Sequence, residues 1–161
     1  MTQPSERPIR KRPARGVHAI SGQPTMVFVT VCTKNALPWL SGQRNFEILR
    51  QLWRDEATHW RVGLFTLMPE HLHLLASKSV EDSRFLDWMR FWKRRFHQIR
   101  GGGPQRFQES QWDTRIRNAE HFLDRAEYIR ENAVRRGLAA RADEWPYTGV
   151  VHELEWFQDQ R

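Results

Sequence analysis

The triplet His71-Leu72-His73 places two imidazoles one residue apart. On a β-strand, residues i and i+2 face the same way. Both rings would then lie side by side while Leu72 and Leu74 enter the core. Two imidazoles that close can share a metal ion. The same spacing also arises from two unrelated strand histidines, so both readings stand. A second constellation lies further along. Phe122, Ala126, Ile129 and Ala133 fall on one helical face, with His121, Arg125, Tyr128 and Asn132 in a stripe beside it. Tyr128 and Asn132 are one turn apart, so a phenol and a carboxamide can reach one site. A tyrosine bordering an apolar face also serves as plain amphipathic packing.

Positioning these side chains requires a β-rich scaffold. Met26 to Cys32 is rich in β-branched residues and apolar on both faces, which suits a buried strand. Residues 43–60 carry Phe46, Leu49, Leu52, Trp53 and Ala57 at helical spacing. Strands at 62–68 and 71–76 flank Pro69-Glu70, as in an antiparallel hairpin. Residues 82–99 form a helix with Phe85, Met89, Trp92, Phe96 and Ile99 as its core stripe, ended by Gly101-Gly102-Gly103-Pro104. A fourth strand is expected within 106–117. Asn118 reads as the N-cap of a last helix running to about Arg135 and closed by Gly137. The order β-α-β-β-α-β-α predicts an α+β fold. It is a ferredoxin-like split βαβ with a four-stranded antiparallel sheet, helices mainly on one face, and an appended C-terminal helix. Residues 1–20 read as a basic Pro/Arg-rich arm, expected to be mobile, residues 21–150 as one domain, and residues 151–161 as a tail.

The 161 residues fit a single domain, and the single cysteine, Cys32, excludes an internal disulfide or a multi-thiolate metal site. No apolar stretch is long enough to span a membrane, and the N-terminal segment has no apolar core of a secretory signal. A cytoplasmic protein is expected. The net charge of +7 is concentrated in two blocks. Residues 1–16 hold five basic side chains, Arg10, Lys11 and Arg12 among them, against Glu6. Residues 90–117 hold eight, including Arg90, Lys93, Arg94, Arg95, Arg115 and Arg117, against Glu109 and Asp113. Such blocks favour a polyanionic partner, most often nucleic acid, over a merely solvated face. Of the eight tryptophans, Trp88 and Trp112 are the candidates for stacking on unpaired bases.

Taken together, these segments resemble a known family. Met68-Pro69-Glu70-His71-Leu72-His73-Leu74-Leu75 is similar to the HUH motif (His, hydrophobic, His) of single-tyrosine transposases. Trp112 to Asn118 is similar to the segment before their catalytic helix, and Tyr128 to Leu138 to the helix that carries their nucleophile. Asp143-Glu144-Trp145-Pro146-Tyr147 resembles the ending of one branch, the REP-associated tyrosine transposases, relatives linked to short palindromic repeats in bacterial genomes. The likeness runs from about residue 25 to 148. One departure is Ala133, where the family usually has proline. Proline weakens a helix locally, and alanine should extend it.

The resemblance implies that Tyr128 attacks a phosphodiester of single-stranded or hairpin DNA, forming a 5′-phosphotyrosine bond and freeing a 3′-hydroxyl. It implies that His71, His73 and Asn132 hold Mg²⁺ or Mn²⁺, although ligand type alone equally allows Zn²⁺. It makes the appended helix the catalytic one. It implies a nucleoid-associated protein, monomer or homodimer, with the basic residues named above contacting DNA. An ordinary phenol keeps its proton at neutral pH, so some activation is required. No phosphate-cradling GxxxxGK[ST] loop occurs, consistent with a covalent intermediate that conserves the broken bond. Two other readings stay open: a non-catalytic hairpin-binding protein on the same fold, and a metal-dependent phosphodiesterase that uses water.

Overall fold

A computed structural model describes residues 25–154 and 156; Arg10, Lys11 and Arg12, like the rest of the basic arm, lie outside them. The chain runs β1 (Met26–Cys32), α1 (Gln43–Asp55), β2 (Trp60–Leu67), β3 (His71–Lys78), α2 (Phe85–Ile99), β4 (Trp112–Arg115), α3 (Ala119–Arg135) and β5 (Thr148–Val150). The sheet order is β4-β1-β3-β2-β5, antiparallel throughout. Leaving β5 aside, this is the split βαβ arrangement, with β3 between the strands joined by α1.

The sheet has five strands rather than four. Thr148–Val150 pairs with the outer edge of β2, and Val151 and His152 extend the contact through backbone bonds to Gly63 and Val62. Glycine lets the strand pack closely at the join: a Cβ on Gly149 would come within 2.8 Å of the Phe46 ring, which would have to shift.

Side-chain alternation in β1 sorts the two faces. Val27, Val29 and Val31 join Leu72, Leu74 and Ala76 of β3 in the larger core, under α1 and α2. Met26 and Phe28 face the other way with Leu75, and are covered by Ile116 and by Ala126 and Ile129 of α3. So α1 and α2 share one face, while α3 alone covers the opposite one. The larger core is dense in indoles: Trp53, Trp60, Trp88 and Trp92 are all buried.

Local signals set the helix limits. The Asn118 side chain accepts the His121 backbone N–H at 2.8 Å, capping α3. At the other end Leu138 N–H bonds Ala133 O and Gly137 N–H bonds Val134 O, with Gly137 in the left-handed region at φ 70°. Ala133 is buried inside this unbroken helix, as its helix propensity predicts.

Candidate active site

His71 and His73 lie at the start of β3, the middle strand, and point out of the face covered by α3. The hairpin that delivers them is closed by the Met68 N–H bond to His71 O. Their Nε2 atoms are 3.1 Å apart. Each Nδ1 has its own partner: Glu70 Oε1 at 3.1 Å from His71, and Thr30 Oγ1 at 2.8 Å from His73. An ionised carboxylate only accepts, so His71 carries its proton on Nδ1 and presents a lone pair at Nε2.

Burial is the main influence on both rings. It pushes the His71 imidazole below its ordinary value, against the opposing pull of Glu70. His73, more deeply buried and next to His71, Arg125 and Arg136, is pushed down to about 3. Both rings are therefore neutral at pH 7. Burial alone would raise the Glu70 carboxyl, but its bond to Arg136, the charge of that guanidinium and His71 hold it below the usual range.

From α3, Tyr128 places its ring centre 5.2 Å from that of His73 and 5.9 Å from that of Phe28, edge-on to both. Phe28 in turn stacks on His73 at 5.4 Å. One turn on, Asn132 is buried beside His71, yet its Oδ1 has no hydrogen bond of acceptable geometry. A buried carbonyl oxygen left without a partner is uncommon and costly.

This donor set fits a divalent metal ion. Two nitrogens about 2.1 Å from one ion at a right angle lie about 3.0 Å apart, close to the observed separation. The Asn132 oxygen would supply a third, hard donor. Among the described residues no cluster of three His, Cys, Asp or Glu side chains could hold a metal by itself. Glu70 and Thr30 orient the two histidines from behind, as outer partners of metal-bound imidazoles do.

The structure thus gathers His71, His73, Tyr128 and Asn132 and disperses the basic residues. Helix α2 lies across the sheet from the histidines. Arg90 and Arg94 are exposed there. Arg95 pairs with Glu56 at 2.6 Å. Lys93, expected to contact DNA, instead donates to Gln108 O, Glu109 O and Gln111 Oε1, and burial pushes its ammonium down to about 8. It fastens the loop before β4. Arg115 is level with Val27 on β1 and so projects to the α1/α2 side, while Arg117 is exposed. Trp88 is not a stacking surface: it is 3% exposed, and its Nε1 donates to Ala57 O. Trp112 is 48% exposed and level with Thr30, which is itself level with His73, so it shares the histidine face.

Four contributors escaped sequence reasoning. Glu70 was visible as the neighbour of His71. Arg136 and Thr30 meet the histidines only through tertiary register. Arg135, whose guanidinium lies 4.8 Å from the Tyr128 ring centre, is seven residues beyond Tyr128, two turns along one helical stripe.

No protein-family model matches the chain, and no curated protein matches it. Its fold is similar to that of a REP-associated tyrosine transposase solved bound to a REP hairpin, with a TM-score of 0.66 and 19% identity over 88% of this chain and 95% of that one. A Deinococcus radiodurans chain provisionally described as a transposase matches at TM-score 0.48 and 19% identity, over 76% of this chain and 96% of that one. At the first of these likenesses the fold is shared: an antiparallel sheet with the α+β order seen here.

Proposed function

We propose that this protein is a metal-dependent single-strand DNA endonuclease and strand transferase, acting on hairpin or palindromic repeat DNA with Tyr128 as nucleophile. The observation that carries the reading is the convergence of two facing imidazole Nε2 atoms, a partnerless buried amide oxygen and a tyrosine on one face of the sheet. The fold it shares with a hairpin-bound transposase supports the choice of substrate.

In the proposed reaction the Tyr128 oxygen attacks phosphorus, and its proton passes to water. The bond from phosphorus to the 3′-oxygen breaks, and that oxygen takes up a proton. The product is a 5′-phosphotyrosine and a free 3′-hydroxyl, which can later reverse the step. His71, His73 and Asn132 would hold Mg²⁺ or Mn²⁺, which when bound supplies positive charge to the scissile phosphate. Phe28 and His73 fix the Tyr128 ring, and Glu70 and Thr30 fix the two imidazoles. Among the described residues no helix is long and apolar enough to cross a membrane. We place the protein with DNA in the nucleoid, as a monomer or homodimer.

The test is incubation with a labelled hairpin oligonucleotide bearing a single-stranded flank, with Mn²⁺, read on a denaturing gel. A covalent adduct mapped to the Tyr128 peptide, and absent in Tyr128→Phe, is expected. Binding without adduct or cleavage would favour the non-catalytic hairpin binder. Cleavage retained in Tyr128→Phe would favour hydrolysis by water.

A further inference from the structure

Two guanidiniums flank the Tyr128 ring, and neither is used by the roles assigned so far. Arg125, one turn before Tyr128 on α3, places its Cζ 5.8 Å from the Tyr128 ring centre and 5.3 Å from that of Phe28. Arg135, two turns beyond, approaches the same ring at 4.8 Å. The third arginine of the region, Arg136, is committed to Glu70. Among the described residues, no carboxylate lies within ion-pair range of Arg125 or Arg135, although Asp124, Glu127 and Glu131 are on the same helix. Nε of Arg125 is moreover buried without a partner. Packing against rings explains where these side chains lie. It does not explain a buried guanidinium nitrogen with nothing to donate to.

We infer that Arg125 and Arg135 are phosphate anchors, holding backbone phosphates of the attacked strand on either side of Tyr128. The inference rests on the nuclease reading for its substrate, a single DNA strand. A guanidinium offers a planar fork of donors that matches phosphate oxygens, and a phosphate oxygen would satisfy the orphaned Arg125 nitrogen. Because both anchors lie on the helix that carries the nucleophile, they set which phosphate meets Tyr128. They are positioning residues, and as backbone contacts they should not discriminate sequence.

The test uses the full chain carrying Tyr128→Phe, in EDTA, so that neither adduct nor metal contributes. Affinity for a hairpin oligonucleotide with a single-stranded flank is measured by fluorescence anisotropy across a KCl series. Adding Arg125→Gln or Arg135→Gln should weaken binding to unrelated sequences alike. Each should reduce the slope of log affinity against log salt by about 0.7, the value for one phosphate contact on a single strand. Arg125→Lys should restore most of the slope, because it keeps the charge. Arg130→Gln, exposed on the same helix and away from Tyr128, should leave the slope as it is. A lowered melting temperature with an unchanged slope would show the two arginines to be ring packing only, and would overturn the inference. Altered slopes in a chain whose parent forms no adduct would sink the nuclease reading and leave the anchors standing.

Discussion

Arg136, just past the end of α3, is ion-paired with Glu70, in the hairpin turn that leads into the histidine strand. The pair joins the helix bearing Tyr128 and Asn132 to the strand bearing His71 and His73. Glu70 also faces Nδ1 of His71, so one carboxylate sets the imidazole tautomer and anchors the helix end. The pair is partly exposed, and its direct contribution to stability should be small, about 1 kcal/mol or less. Its effect on the site should be larger. Glu70→Gln should weaken Mn²⁺ binding by about 10- to 100-fold, the usual cost of losing an outer partner of a metal-bound histidine. Calorimetric Mn²⁺ titration measures this directly. Unchanged affinity would mean that Glu70 does not orient the ring.

Lys93 should behave as a half-buried structural lysine. Its folded value, about 8, lies below the value of about 10.4 for an unfolded chain. Between these limits the unfolded chain holds more protons, so stability should rise with pH across that window. The rise should approach 1.4 kcal/mol per pH unit at most. Below pH 8 both states are charged and the burial penalty is constant. Urea unfolding at pH 7.5, 9 and 10 should show the rise, and Lys93→Met should flatten it. The same variant should leave the salt dependence of DNA binding unchanged, because the ammonium already serves three acceptors of its own chain.

Lys93 also marks where the sequence stops being readable. Its helix was legible from the apolar stripe, and a basic residue beside that stripe looks solvent-facing. Only the packing of the 106–111 loop over α2 turns it inward. The His71–His73 pair was legible because alternation in a strand is local, as was the Asn118 cap. By contrast, β5 is three residues containing a glycine, and its pairing is decided by the open edge of β2 and the proximity of Phe46. Arg136 and Glu70 are 66 residues apart, and nothing in either segment signals the other.

Trp112 stands on the edge strand, 48% exposed, on the face that bears His73. If DNA binds as proposed, this exposed indole would offer a stacking platform for an unpaired base. Trp112→Ala should lower affinity for a single-stranded flank by about 1–3 kcal/mol, and Trp112→Phe by much less. A blunt hairpin without the flank should bind both variants and the parent alike. Equal losses on the two DNAs would place the contact elsewhere.

Asn132 gives the sharpest contrast between stability and function. Its buried Oδ1 has no hydrogen bond of acceptable geometry within the chain, a deficit of about 1–3 kcal/mol. Asn132→Ala removes that oxygen and leaves a small cavity whose cost opposes the gain. In EDTA the variant should therefore melt at the parent temperature or slightly above it. With saturating Mn²⁺ the order should reverse, because the parent gains stability from binding and the variant has lost a ligand. A tenfold weaker site corresponds to about 1.4 kcal/mol less stabilisation at a fixed high metal concentration. Thermal melts with and without Mn²⁺ test both halves. A variant that melts several degrees lower in EDTA yet gains as much from Mn²⁺ as the parent would show Asn132 to be a structural amide and leave the two histidines without their third ligand.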